Sequence, residues 1–294
     1  MRQYSFTTVD VFTDRRFGGN QLAVVTDARD LSDGEMQAIA AEFNFSETTF
    51  VLPPASALHS ARVRIFHRTG ELPFAGHPNV GTGFVLAQRR RDIDLLHFEE
   101  MAGVVDVAVR RDPGGTPTGA TITAPLPLIL GPEIAPETVA ACAGITLEDI
   151  VIERHRPIQL SMGNPFILAE VTLDALGRAT PDLPSFRRAI ADRPDFANRF
   201  SLHLYSCTSD GIRARMFAPL AGTLEDAATG SANAALGGLL LSLSGEDRGE
   251  FTMIQGVEMG RPSRMEVVAM RMAEGIRARV GGGCVTVSTG ELLV

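Results

Sequence analysis

Residues 62–83 read RVRIFHRTGELPFAGHPNVGTG, and residues 213–237 read RARMFAPLAGTLEDAATGSANAALG. Each stretch begins with an Arg-x-Arg-x-Phe strand pattern, passes through a glycine-containing turn and ends in small residues that suit a helix. Four residues of the first stretch recur in the same order 154 positions later. The recurring pairs are Glu71 and Glu225, Gly76 and Gly230, Asn79 and Asn233, and Gly83 and Gly237. An ordered recurrence of this kind indicates an internal duplication.

The two helices predicted after these turns, at 78–90 and 231–242, carry several glycines in their interiors. Each glycine costs a helix about 1 kcal/mol relative to alanine, so close approach of neighbouring strands is the physical reason to keep them. A Gly-Asn pair before an apolar strand also occurs twice, at 19–20 and at 163–164. The sequence therefore predicts an α+β fold of two pseudo-symmetric domains, each a curved, mostly antiparallel sheet around a central helix.

The densest Pro/Gly segments, 111–118 and 124–132, mark the predicted crossing between the halves. We expect an N-terminal domain at 1–118 and a C-terminal domain at 119–282. The glycines at 281–283 predict a turn between closing strands, and the last strand, about 283–294, is expected to return to the N-terminal domain. The two halves are expected to face each other across a cleft.

Composition excludes several classes of partner. The chain has 294 residues and a net charge of −8, which argues against nucleic acid, because phosphate contacts require a basic face. Its longest apolar runs fall short of the ~18 residues needed to span a bilayer, and no apolar segment of a signal peptide follows the first residues. Three widely separated cysteines suit a reducing compartment. We therefore expect a cytoplasmic protein that binds neither membranes nor nucleic acid.

The residues that are missing also exclude cofactor chemistry. All 27 basic residues are arginine, so the chain has neither a Schiff-base lysine nor the lysine of a P-loop. No dinucleotide, nucleophile-elbow or zinc-protease motif is present, and the six histidines are isolated from one another. We expect no metal and no cofactor.

The two glycine turns are candidate binding sites for an anion. A helix N-terminus offers unpaired amides and the positive end of the helix dipole, which suits a carboxylate. The first turn contains Gly76, and the second contains Thr229, Gly230 and Ser231. The alternative interpretation is that both turns are ordinary helix caps.

Three titratable residues are candidates for acid–base work. Glu47 lies between hydroxyl residues and before an apolar strand, where partial loss of solvent would raise its pKa toward that of a general base. His77 and Asp226 lie beside the two turns. Taken alone, the three would be an exposed turn acid, a structural imidazole and a capping acid.

Six segments of the chain resemble signature segments of one known family. They are SETTFVLPP, ELPFAGHPNVGTG, EDAATGSAN, QGVEMGRPS, GNQLAVV and GNPF. They resemble the phenazine-biosynthesis PhzF-like family, which shares the two-domain diaminopimelate epimerase fold, and the resemblance extends over essentially the whole chain. It implies a cofactor-free isomerase site between the halves, usually in a homodimer, with an activity like that of trans-2,3-dihydro-3-hydroxyanthranilate isomerase.

The resemblance also implies roles for individual residues. Glu47 matches the proton-shuttling glutamate of the family, His77 its histidine, and Asp226 and Ser231 the aspartate and serine of the pocket. We therefore expect catalytic roles for Glu47, His77 and Asp226. The expected substrate-binding residues are Ser46, Gly76, Thr229, Gly230 and Ser231.

Two positions depart from the family pattern and bear on substrate specificity. Ala227 stands where the family usually has proline, and His67-Arg68 replace a common Thr-Pro pair.

The first functional hypothesis is an isomerase that moves a proton and a double bond in a small cyclic or conjugated carboxylic acid, with Glu47 as base and acid. A non-catalytic protein that binds small carboxylates is the second. A racemase or epimerase is the third, and it is disfavoured because the related epimerases use a cysteine beside each glycine turn. The three cysteines of this chain, Cys142, Cys207 and Cys284, lie elsewhere.

Overall fold

The computed structural model of the protein describes residues 1–90, 92–191, 193, 196 and 200–294. The chain divides into two compact units. The N-terminal unit contains Met1–Thr123 and Val280–Val294, and the C-terminal unit contains Ala124–Arg279.

The N-terminal unit is mostly strand. Its elements in chain order are β1 (Gln3–Val11), β2 (Asn20–Val25), α1 (Asp33–Phe43), β3 (Glu47–Leu52), β4 (Ala61–His67), β5 (Gly70–Leu72), α2 (Gly76–Arg89), β6 (Leu95–Glu100), β7 (Gly103–Arg111), β8 (Pro117–Thr123) and the end of β18 (Gly275–Leu293).

The strands of this unit surround the helix α2. Strand β1 pairs antiparallel with β2, β2 parallel with β3, and β3 antiparallel with β4. Strand β4 pairs parallel with β6, and β6 and β7 continue antiparallel to β8. Strand β18 pairs with both β1 and β8, which closes the ring. Helix α2 contacts β1, β2, β3, β7 and β8, and most of its residues are buried.

The C-terminal unit has more helices. Its elements are β9 (Ile129–Glu133), α3 (Pro136–Ala143), β10 (Ile150–Val151), β11 (Ile158–Ser161), β12 (Pro165–Val171), α4 (Leu173–Arg178), α5 (Leu183–Ala191), β13 (Leu202–Thr208), β14 (Gly211–Ala218), β15 (Thr223–Asp226), α6 (Gly230–Ser244), β16 (Arg248–Gln255), β17 (Ser263–Met272) and the beginning of β18, with short 3₁₀ turns at Leu147–Asp149 and Pro219–Ala221.

The two units use the same series of strand pairings. In the C-terminal unit β12 pairs parallel with β13, β13 antiparallel with β14, β14 parallel with β16, and β16 antiparallel with β17. The N-terminal series β2, β3, β4, β6 and β7 has the same directions. In both units a short strand, β5 or β15, pairs with the middle of this series and leads into the long buried helix, α2 or α6. The predicted α+β class, with strands around a central helix, is confirmed.

The C-terminal end of the chain differs from the sequence-based expectation. The glycines at 281–283 suggested a turn between two closing strands, but β18 continues through them from Gly275 to Leu293. A Cβ on Gly281 would lie 2.2 Å from Thr121 Oγ1, and one on Gly283 would lie 2.8 Å from the carbonyl oxygen of Thr13. These glycines therefore permit close approach of neighbouring backbone and do not form a turn.

The glycines of α2 have the same purpose. A Cβ on Gly81 would lie 2.5 Å from Leu22 Cδ2, 2.8 Å from Val11 Cγ2 and 3.2 Å from Val9 Cγ2. Strands β1 and β2 thus pack directly against the backbone of α2. The helix could not lie at this depth with larger residues on that face.

A pair of glycine substitutions tests this packing. Gly81→Ala should destabilise the protein by about 1–3 kcal/mol, because overpacking outweighs the gain of about 1 kcal/mol in helix propensity. Gly34 in α1 is the matched control, since a Cβ there would have no atom within 4 Å. Gly34→Ala should leave stability unchanged or raise it. Equal effects of both substitutions in urea unfolding would contradict the packing argument.

Candidate active site

Four of the predicted site residues lie close together in the N-terminal unit. Glu47 is the first residue of β3, and Ser46 precedes it in the short connection from α1. Asn44 caps the C-terminus of α1, and its left-handed conformation (φ 53°) turns the chain toward the strand. Gly76 and His77 are the first residues of α2. The parallel pairing of β2 with β3 places Glu47 opposite Leu22.

A chain of polar contacts connects these residues. Glu47 Oε2 lies 3.4 Å from His77 Nε2. On the other side of the ring, His77 Nδ1 lies 3.4 Å from Asn20 Nδ2, and Ser46 donates a hydrogen bond of 2.9 Å to Asn20 Oδ1. The His77 side chain is 6% exposed and that of Glu47 is 18% exposed, so solvent reaches the carboxyl group better than the ring.

Burial determines the charge of His77. Desolvation lowers the pKa of the ring to about 3, and a hydrogen bond with the backbone of Gln21 opposes this shift only in part. The imidazole is therefore neutral near pH 7. Its contact with Glu47 is that of a carboxyl group and a neutral ring, which can hold or pass a proton between them.

The other predicted site residues lie together in the C-terminal unit. Asp226 ends β15, and Thr229, Gly230 and Ser231 form the beginning of α6. Thr229 Oγ1 donates a hydrogen bond of 2.6 Å to Asp226 Oδ2. Gly230 is buried, whereas Ser231 and Asp226 retain partial exposure. The aspartate therefore keeps one edge of the turn polar.

Two buried amides hold this second turn. Gln255 Oε1 accepts hydrogen bonds from the Thr229 backbone N–H (3.1 Å) and from Asn233 Nδ2 (2.8 Å). Gln255 Nε2 donates to the carbonyl oxygen of Asp226 at 2.8 Å. Gln255 and Asn233 are fully buried, so the loss of either would leave polar groups without partners.

Sequence reasoning missed three of these supporting residues. Asn20 and Asn233 belong to the internal repeat, and Gln255 belongs to the QGVEMGRPS segment. The repeat and the family segments were therefore the signals that could have identified them.

The cysteines are not part of either turn. Cys142 lies in α3 and Cys284 in β18, and burial raises the pKa of each thiol to about 12. Cys207, near the end of β13, is exposed. The N-terminal cluster therefore has a carboxyl group and an imidazole as its acid–base groups, and no thiol.

The described residues form neither a metal site nor a membrane-spanning helix. No group of three or more His, Cys, Asp or Glu residues lies where it could hold a metal ion. None of the helices described is long and apolar enough to cross a membrane.

Comparison with known proteins identifies the family. The family model of phenazine biosynthesis-like proteins, PhzC-PhzF, matches residues 9–290. The chain belongs to this family. It is 36% identical to an uncharacterized isomerase of Mesorhizobium japonicum, with 100% of both chains covered. It is 34% identical to the trans-2,3-dihydro-3-hydroxyanthranilate isomerase of Pseudomonas fluorescens, over 99% of this chain and 100% of that one. Like these homologues, this PhzF-family protein is an isomerase.

Solved structures agree with this assignment. A PhzF-family protein from Bacillus anthracis has a TM-score of 0.89 at 25% identity, with 100% of both chains covered. A hydroxyproline epimerase from Agrobacterium vitis has a TM-score of 0.65 at 12% identity, over 99% of this chain and 92% of that one. The second likeness shows that the fold is shared with epimerases.

The charge of His77 can be tested directly. We expect the His77 ring carbons to keep neutral-imidazole chemical shifts in NMR spectra from pH 8 to pH 5, because burial holds the pKa far below this range. His77→Gln assigns the signal by its loss. A midpoint near 6.5 would show that the ring is solvated and would contradict the described geometry.

Proposed function

We propose that the protein moves a proton, and with it a double bond, within a small cyclic or conjugated carboxylic acid. The observation that carries this proposal is the 3.4 Å contact between the Glu47 carboxyl group and the buried, neutral His77 ring. A carboxylate that is partly exposed can reach a substrate. The neutral imidazole of His77 can exchange a proton with the Glu47 carboxyl group. Because the ring carries no positive charge, it does not hold the carboxyl group in its ionised form.

The substrate class is proposed from the turns and from a relative. The backbone amides at the beginning of α2 and α6, near Gly76 and Gly230, suit a carboxylate group. We propose that the first turn, with Ser46, and the second turn, with Thr229 and Ser231, each bind polar groups of the substrate. The relative from Pseudomonas fluorescens is named for trans-2,3-dihydro-3-hydroxyanthranilate, and this cyclic amino acid is the first substrate to assay.

The proposed mechanism uses one face of the substrate. Glu47 removes a proton from a ring carbon, the electrons shift along the conjugated system, and Glu47 returns the proton at another carbon on the same face. His77 and Asp226 orient the substrate and the migrating proton. Inversion of a stereocentre would require a second acid–base group on the opposite face, and neither turn has a cysteine there. Isomerisation is therefore favoured over racemisation.

The same proposal includes three further properties. The protein works without a metal or organic cofactor and as a homodimer, as the family resemblance implies, and in the cytoplasm, as its three separated cysteines indicate. Assays with a chelator present and no cofactor added test the first property. Light scattering of the purified protein tests the second.

The role of Glu47 is tested by an isosteric substitution. Glu47→Gln should reduce turnover at least ~100-fold, the usual contribution of a general acid–base group, while fold and ligand binding remain. Asp226→Asn should reduce turnover less, because an amide still accepts the Thr229 hydrogen bond. His77→Asn should have an intermediate effect. The measurement is kcat and KM with trans-2,3-dihydro-3-hydroxyanthranilate, with circular dichroism to check folding. An unchanged kcat in Glu47→Gln would place the proton shuttle elsewhere.

The fate of the proton is tested in heavy water. A carboxylate that exchanges its proton with solvent between removal and return should place deuterium at the newly formed C–H bond. The configuration at the untouched stereocentre should be kept, because only one face is used. Mass spectrometry and NMR of the product give both answers. Scrambled configuration would favour a two-base racemase.

A further inference from the structure

Glu100, at the end of β6, has both carboxyl oxygens buried. Neither oxygen makes a hydrogen bond within the part of the chain that the structure describes. An ionised carboxylate in such a position has lost its water and is compensated only in part by the neighbouring Asn79 amide, which is strongly unfavourable. A neutral carboxylic acid at the same position loses far less hydration free energy, and its O–H can donate a hydrogen bond.

The internal repeat shows which residue takes this position in the C-terminal unit. Strand β4 pairs parallel with β6 and places Arg62 opposite Glu99. Strand β14 pairs parallel with β16 and places Arg213 opposite Ile254. Arg62 and Arg213 are the same position of the Arg-x-Arg-x-Phe repeat. Glu100, one residue after Glu99, therefore corresponds to Gln255.

The partners of the two residues correspond as well. Asn233 Nδ2 donates to the Thr229 carbonyl oxygen at 3.0 Å and to Gln255. Its counterpart Asn79 donates in the same way to the Ala75 carbonyl oxygen at 3.0 Å. Asn79 is fully buried and is the polar side chain that acts on Glu100. Both units therefore place a buried asparagine between the helix turn and the residue at the end of the neighbouring strand.

The donor of Gln255 shows where a proton on Glu100 would point. Gln255 Nε2 donates to the carbonyl oxygen of Asp226, which lies opposite Met216 in the pairing of β14 with β15. The equivalent pairing of β4 with β5 places Leu72 opposite Ile65. Leu72 lines the same cavity of about 300 Å³ as Glu100. The Leu72 carbonyl oxygen is thus the counterpart of the Asp226 carbonyl oxygen.

We propose that Glu100 is a neutral carboxylic acid that donates its O–H to the Leu72 carbonyl oxygen and accepts from Asn79 Nδ2. In the N-terminal unit it replaces the amide of Gln255. It is a positioning residue, because Asn79 in turn holds the Ala75 carbonyl oxygen at the beginning of α2, where Gly76 and His77 follow. Its effect on catalysis rests on the proposed function of that turn, whereas its protonation does not.

The electrostatic surroundings support a protonated Glu100. Burial raises the pKa of Glu100 to about 8, and Asn79 opposes this shift only in part. The other charged residues of β4, β5 and β6 that line the cavity are Arg62, Arg64, Glu71 and Glu99. Arg64 forms ion pairs with Glu71 (2.6 Å) and Asp33, and the Arg62 side chain is exposed. Glu99 contacts His59 at 2.7 Å and accepts hydrogen bonds of 2.8 Å from the Ala55 and Ser56 N–H groups. On α2, His77 is neutral. Among the described residues, only burial and the Asn79 amide act on the pKa of Glu100, and no cation lowers it.

Stability as a function of pH tests the protonation. Between pH 6 and 8 the folded protein keeps the Glu100 proton, whereas the unfolded chain has lost it, so stability falls as pH rises. Relative to Glu100→Gln, the folding equilibrium constant of the wild type should fall up to about tenfold per pH unit in this range. Glu99→Gln is the matched control. Hydrogen bonds from Ala55, His59 and Ser56 lower the pKa of Glu99 to about 2, so it is ionised in both states and its removal should keep the wild-type slope.

Infrared spectroscopy gives a second reading that needs no stable variant. Wild-type protein labelled with ¹³C at its glutamate carboxyl groups should show a protonated-carboxyl C=O band at pH 6.5 that disappears at pH 9.5. The band should be missing in Glu100→Gln if that variant folds. A wild-type spectrum without the band at pH 6.5, or parallel pH slopes for the wild type and Glu100→Gln, would overturn the proposal.

The positioning role of Glu100 is tested by the pH dependence of kcat. With trans-2,3-dihydro-3-hydroxyanthranilate, kcat of the wild type should fall above pH 8 while kcat of Glu100→Gln should not. Identical profiles together with the expected band would show a neutral acid that does not position the turn, which overturns that part. The infrared and stability readings do not require turnover. A failure of the proposed isomerase reaction would therefore appear as loss of the Glu47→Gln effect and leave these two results intact.

Discussion

Direct contact of strand side chains with the backbone of a buried helix is the constraint on which this structure depends. Leu22 and Val11 occupy the space that a Cβ on Gly81 would fill, and Val267 does the same at Gly237 in α6. Helices packed in this way cannot shift without loss of the surrounding contacts. Their first turns are therefore fixed, and each fixed turn presents backbone amides and polar side chains at a defined place. Small residues in the interior are thus the condition for a precise site at the helix start.

The same burial sets the protonation states near the N-terminal turn. Desolvation keeps His77 neutral and favours a proton on Glu100, whereas Glu47 retains some exposure and can meet a substrate. The proposed site then contains a reactive carboxyl group, a neutral ring behind it and a second acid that holds the turn. The C-terminal unit achieves comparable rigidity with uncharged amides at Gln255 and Asn233. Both units thus keep the buried asparagine, and they differ in the residue beside it, which is the acid Glu100 in one and the amide Gln255 in the other.

The sequence was sufficient for the class of fold because the duplicated segments are those that form its centre. The Arg-x-Arg-x-Phe strands, the glycine turns and the small-residue helices recur in order, and the structure has matching strand pairings around α2 and α6. The prediction was wrong at 281–283, because glycine serves close approach as well as turns and only the neighbouring strand distinguishes the two. Asn20, Gln255 and Glu100 were missed because a buried polar residue is recognised by its partners, which are distant in the chain. The catalytic roles of Glu47, His77 and Asp226 stay predictions.

The central claim is that Glu47 and the Gly76 turn act on a carboxylate ligand. A crystal structure with bound 3-hydroxyanthranilate, an aromatic analogue that cannot complete the double-bond shift, tests it most directly. The account predicts the ligand carboxylate at the amides of the Gly76 turn and a ring carbon against the Glu47 carboxyl group. Binding instead in the cavity of about 650 Å³ beside Arg154 and Cys207, with Glu47 untouched, would contradict it.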